Sequence, residues 1–143
     1  MFLGNYDYKI DEKGRVPLPP RFRPDFREGI ILTPGPEKYI LAYNFAQWKK
    51  ISDSLTLNTS PLLNSKRRRL NRALFATAFF LNLDAQGRIA LPAPLRQYAE
   101  IADDVVIAGA NTYLEIWSRQ LWEPEQSDSQ EQAWQIIETL ENR

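Results

Sequence analysis

The chain has 143 residues, 18 Lys and Arg balanced by 18 Asp and Glu, and neither cysteine nor histidine. Disulfides, thiolate and imidazole metal sites, Ser-His-Asp and Cys-His nucleophiles and the usual general base near neutral pH are therefore excluded. The neutral total hides a segregation. From Glu123 onward six acids face Arg143 alone, a balance of −5, so residues 1–122 carry +5, concentrated at 9–27 and 66–72. Screening over about 8–10 Å makes such local patches matter more than the sum. No apolar stretch approaches the roughly 18 residues needed to cross a bilayer. Asn5, Asp7 and Lys9 do not suit a signal-peptide apolar region, so a cytoplasmic protein is expected.

In chain order, residues 2–10 alternate as a strand with Tyr6, Tyr8 and Ile10 on one side and Asp7 and Lys9 on the other. The turn Asp11-Glu12-Lys13-Gly14-Arg15 follows, and the strand 15–18 is expected to return as its hairpin partner. Asp favours a turn start, where its carboxylate accepts local N–H groups, and Gly14 should take a positive φ. Pro17, which lacks an N–H, points to an edge or a bulge. Pro24 limits 20–27 to one helical turn. Strands are expected at 30–33 and 39–43 around Pro34-Gly35-Pro36. Asn44 should then cap a helix with Phe45, Trp48, Ile51 and Leu55 on one face. A second helix, from Pro61 to about Thr77, carries Lys66-Arg67-Arg68-Arg69 and Arg72, with Leu63, Leu70, Leu74 and Phe75 as its apolar positions. Its basic run reads equally as a solvated face, a DNA contact or a contact with acids of a neighbouring subunit.

Then the text repeats. Asp84-Ala85-Gln86-Gly87-Arg88-Ile89-Ala90-Leu91-Pro92, with Leu95 and Arg96, matches 11–23 at a constant offset of 73. The strand 79–83 leads into this turn, a short helix spans 93–99, and strands at 105–108 and 113–117 echo those of the first half. Ser118 caps a turn holding Leu121 and Trp122. Residues 126–130 read as a polar linker and 131–140 as a final amphipathic helix bearing Ala133, Trp134, Ile137 and Leu140. Repeat bounds follow: 5–47 and 77–121, joined by 48–76, with an acidic tail at 122–143. Lys13 and Arg15 in the first turn, and Arg88 in the second, are held at loop tips, where scaffolds present binding residues. A structural Asp–Arg pair closing each turn is compatible with that presentation, the Asp orienting the Arg.

The opening Met1-Phe2-Leu3-Gly4, the two D-x-x-G-R turns, Pro20-Arg21-Phe22-Arg23, Ala108-Gly109 and Glu115-Ile116-Trp117 resemble the MraZ family. These are bacterial transcription factors of the division and cell-wall gene cluster, built from two tandem SpoVT-AbrB-like domains. The resemblance covers residues 1 to about 122. It implies an α+β fold in which the halves swap hairpins into one pseudo-two-fold β-barrel, with short flanking helices and a C-terminal helix. It also implies a ring-shaped homo-oligomer, associated with the nucleoid, that binds double-stranded DNA at short direct repeats in its own promoter. The family's essential basic position falls on Arg15. The candidate DNA-binding residues are Lys13, Arg15, Lys9, Arg21, Arg23 and Arg88. No catalytic, metal or cofactor residue is assigned and no membrane contact is expected. Arg suits bidentate contact with guanine O6 and N7. Two rival classes are an enzyme using Asp11 and Asp84 as a carboxylate pair and a ring-forming scaffold with little DNA specificity.

Overall fold

A computed structural model describes residues 1–56 and 64–141. Within these residues eight strands run in chain order: β1 (Asn5–Lys9), β2 (Arg15–Pro17), β3 (Ile30–Pro34), β4 (Ile40–Asn44), β5 (Phe79–Leu81), β6 (Arg88–Ala90), β7 (Asp104–Gly109) and β8 (Leu114–Ser118). Among the described residues four α-helices accompany them: α1 (Phe45–Thr56), α2 (Ser65–Asn71), α3 (Ala93–Tyr98) and α4 (Arg119–Glu141), with a 3₁₀ segment at Pro20–Phe26 and a π turn at Arg72–Ala76. The fold is α+β, and its strand pairing is antiparallel throughout.

The order of the six-stranded sheet is β1-β7-β8-β4-β3-β5, and β2 pairs with β6 in a separate two-stranded ladder. Exchanging the two halves of the chain reverses this order onto itself. The pseudo-two-fold axis runs through Val16 and Ile89, which face each other in the ladder and are each other's counterparts 73 residues apart. The halves exchange strands: β1 adds to β7 of the second half, and β5 adds to β3 of the first. The expectation that β2 is the local partner of β1 is corrected here. Alternation in β1 specifies which face is buried, not which strand it joins, and β1 finds its ladder in β7.

Burial explains the layering. Val16, Leu18, Ile89 and Leu91 from the ladder meet Ile30, Leu32, Ile40, Ile107, Leu114 and Ile116 from the sheet in one core. Tyr6, Tyr8 and Ile10 pack against it from one side and Phe79, Leu81 and Leu83 from the other, as the alternation requires. At about 25 cal/mol per Å² of apolar surface, this cluster is the main stabilising term. Pro17 is accommodated because Leu18 N–H donates to Gly87 O at 2.9 Å and Leu91 N–H to Gly14 O at 2.8 Å. The alternate position, Pro17, directs its nitrogen away from β6 and loses no bond.

The helices repeat too. Asn44 Oδ1 accepts from Gln47 N–H at 2.9 Å and Ser118 Oγ from Leu121 N–H at 3.3 Å, so α1 and α4 begin with the same cap. Both pack on the outer face of the sheet, where Trp48 meets Tyr43 and Trp122 meets Trp117. Three expectations are corrected. The 3₁₀ segment runs for seven residues, beyond one turn, with Pro24 inside it. Phe45, expected on one apolar face of α1 with Trp48, Ile51 and Leu55, is 48% exposed, whereas those three are half-buried. The expected linker at 126–130 does not exist, because α4 continues for 23 residues through it. Pro124 falls early in α4 and removes one N–H without ending the helix. The expected start of the second helix at Pro61, and Leu63, lie outside the described residues; α2 starts at Ser65, after Asn64, whose Oδ1 accepts from Lys66 N–H and Arg67 N–H.

Candidate nucleic-acid interface

Each D-x-x-G-R turn is one hydrogen-bonded unit. Asp11 Oδ1 accepts from Lys13 N–H at 2.9 Å and Arg15 N–H at 2.8 Å, while Oδ2 accepts from Arg15 Nε at 2.7 Å. Asp84 receives Gln86 N–H, Arg88 N–H and Arg88 Nε at 2.9, 2.9 and 2.7 Å. Backbone bonds close both: Gly14 N–H to Asp11 O at 3.0 Å and Gly87 N–H to Asp84 O at 2.9 Å. The glycines have φ of 76° and 75°, a region that L side chains rarely adopt. So the Asp–Arg pair is structural, and it also sets the arginine's direction.

The carboxylates respond as this geometry requires. Asp11 is held below the ordinary range first by Arg15 N–H and then by the Arg15 side chain and Lys13 N–H. Asp84 is lowered likewise, first by Arg88 N–H. Each carboxylate is taken up by three donors of its own turn, so the geometry accounts for Asp11 and Asp84 as turn acids.

The ladder brings the two turns side by side. Arg88 Nη1 lies 3.9 Å from Asp11 Oδ2, so each half's arginine belongs to one shared surface. Arg23 donates from Nε to Leu18 O at 2.9 Å, and Arg96 from Nε to Leu91 O at 3.0 Å. The β2–β6 ladder, which sets Leu91 beside Gly14 and Leu18 beside Gly87, then carries each across the axis: Arg96 lies over Gly14 and Arg23 over Gly87, both at distances where a Cβ would touch the guanidinium. Two guanidiniums, of Arg15 and Arg88, thus pair with the two carboxylates, and those of Arg96 and Arg23 cover the two turn glycines. Among the described residues no partner is recorded for the Nη groups of Arg15, Arg23 or Arg96, which leaves them as donors. Arg96 is the residue missed by the sequence reading; its recurrence 73 positions after Arg23 was the signal for it.

The other candidates sit differently. Lys13 is exposed at the first tip, where Gln86 occupies the second. Arg21 is exposed on the 3₁₀ segment next to Arg23's backbone. Lys9 is on β1 and pairs with Asp104 at 3.8 Å, two exposed groups whose attraction is weak. The basic residues of α2 form a separate patch, in which Arg67 donates to Leu55 O. No group of His, Cys, Asp and Glu suited to a metal ion occurs among the described residues. None of the described helices is long and apolar enough to cross a membrane.

The sequence can now be set beside known proteins. The model of the family described as "MraZ protein, putative antitoxin-like" matches residues 1–73 and again 74–141, which is the internal repeat found above. Among the relatives named transcriptional regulator MraZ, three illustrate the range. That of Dehalococcoides mccartyi is 59% identical over 142 residues, 99% of each chain. That of Herpetosiphon aurantiacus is 42% identical over 123 residues, 86% of this chain and 85% of its own. That of Caldanaerobacter subterraneus is 37% identical over 142 residues, 99% of this chain and 98% of its own. The likeness extends through α4, past residue 122 where the motif resemblance ended. The chain belongs to the MraZ family.

Proposed function

We propose that this protein is a DNA-binding transcriptional regulator that acts through its paired D-x-x-G-R turns. The observation that carries this reading is the juxtaposition of two equivalent turns, each with an arginine fixed at Nε and aimed by an aspartate, on one face of a rigid ladder. Preset guanidiniums lose little entropy on contact and suit phosphate or guanine edges. The names of the relatives support the regulatory role and not an enzymatic one.

The finer reading is that Lys13, Arg15, Arg21, Arg23 and Arg88, with Lys9 at the margin, contact short direct repeats in the protein's own promoter, ahead of the division and cell-wall genes. The repeat units are 5–47 and 77–121, and the working form is a ring-shaped homo-oligomer in the cytoplasm, on the nucleoid. One protomer offers few phosphate contacts, each contributing about 0.9 to the slope of log K against log salt. Several protomers on one duplex supply avidity of about 10²–10⁴. Fluorescence anisotropy with promoter and scrambled duplexes tests this. Preference for the promoter duplex, lost in Arg15→Ala, is expected; equal affinity for both, unaffected by Arg15→Ala, would favour a ring-forming scaffold instead.

A further inference from the structure

Helix α4 is about 35 Å long at 1.5 Å per residue, and only its beginning rests on the sheet. From 127 to 141 every residue is exposed except the half-exposed Ala133. Trp134 is 73% exposed and Leu140 58%, with Ile136 and Ile137 beside them. An unsupported helical stretch of about 15 residues is marginal in water, and an apolar stripe of this kind marks an interaction surface. The same segment is strongly acidic. Asp128, Glu131, Glu138 and Glu141 are accompanied by no Lys or Arg between 120 and 141.

That charge narrows the occupant. Two copies of α4 laid together would place like charges in contact, which is unfavourable. The complementary surface lies elsewhere on the same chain. Helix α2 presents Lys66, Arg67 and Arg69, followed by Arg72, with Leu70 36% exposed among them. Among the described residues none of these four basic side chains is ion-paired with a carboxylate. The zero net charge of the chain is thus the near-cancellation of an acidic apolar helix and a basic one.

We propose that the exposed half of α4 docks on α2 of a second copy of this chain, acid to base, with Trp134 and Ile137 packed against Leu70. The contact is head to tail, so each chain gives one α4 and receives another, which closes into a ring or extends into a filament. This rests on the oligomer named under Proposed function and supplies its interface.

The test is charge exchange, read as mass in solution by light scattering. Glu131→Lys with Glu138→Lys reverses α4; Lys66→Glu with Arg69→Glu reverses α2. All four positions are exposed or half-exposed, and a melting curve checks that each variant still folds. Either pair alone should convert the oligomer to single chains, and all four together should restore it. Trp134→Asp should disassemble it as well. A wild-type protein with the mass of one chain, a variant pair that keeps the wild-type mass, or a fourfold variant that stays dissociated would overturn the interface. A dissociated α4 variant should still bind a one-repeat duplex within about twofold of wild type. An α4 variant that stays assembled therefore defeats the interface without touching the DNA reading, whereas a dissociated one that has lost one-repeat binding contradicts the claim that α4 serves assembly alone.

Discussion

The two D-x-x-G-R turns share a backbone but not a surface. Both have an aspartate taking three donors at 2.7–2.9 Å, a glycine near φ +75° and an arginine bound through Nε. Around that common lock, the first turn carries Glu12 and Lys13 where the second carries Ala85 and Gln86. Arg88 reaches toward Asp11 as well as Asp84, whereas among the described residues Arg15 is ion-paired with Asp11 alone. The lock is what the fold needs twice. The tip is where the copies are free to differ, and the cationic donors concentrate on the first.

The largest effect that breaks this comparison should come from the arginines. Arg15→Ala is expected to lower promoter affinity by about 1–3 kcal/mol per lost bidentate contact, multiplied across protomers. Arg88→Ala, whose guanidinium is engaged by two carboxylates, should lower it less. Equal losses in an anisotropy titration would erase the distinction. Arg15→Lys should recover little, because an ammonium cannot reproduce the fork.

Next come the glycines, which test the shared part. Gly14→Ala and Gly87→Ala should each destabilise by more than about 1 kcal/mol, since φ is positive at both. Gly87→Ala should be the worse, because its Cβ would lie 2.3 Å from Arg23 Nε against 3.1 Å from Arg96 Cζ at Gly14. Thermal melts that leave both variants at the wild-type Tm would refute the turn assignment.

A smaller effect separates the aspartates from ordinary surface acids. Both carboxyls titrate below the usual value of about 3.9 in the folded state. Depressed pKa values mean that their contribution to stability is complete above about pH 4 and fades as pH falls through the folded values. Asp11→Asn and Asp84→Asn should therefore lower Tm near neutrality while flattening its decline in acid. Parallel Tm-against-pH curves for wild type and variants would contradict this. The smallest change is expected of Lys13→Gln, which gives the first tip the second's residue. It should reduce the salt slope by about 0.9 if Lys13 meets a phosphate, with little change in fold.

Much of this organisation was legible in the residues. The offset of 73 between Asp11 and Asp84 gave the two turns, their positive-φ glycines and the Asp–Arg pairing, because turn chemistry is local. Asn44 and Ser118 were readable as caps for the same reason. What stayed hidden depends on distant partners. Alternation in β1 is the same whether it pairs with β2 or β7, so the local reading chose the nearer strand and only the family resemblance implied the exchange. Arg96 meets Gly14 only because the β2–β6 ladder sets Leu91, which holds Arg96, beside Gly14. The 126–130 stretch looked like a linker because Ser and Asp weaken a helix, yet α4 runs through it.

The central claim is that fixed arginine turns on neighbouring protomers read one duplex together. Its most direct measurement is the affinity of the wild-type protein for duplexes with one repeat, two repeats at native spacing, and two repeats offset by half a helical turn. A steep gain of about 10²–10⁴ is expected from one repeat to two, abolished by the half-turn offset because adjacent turns would then face opposite sides of the DNA. Equal affinity for all three duplexes would contradict it.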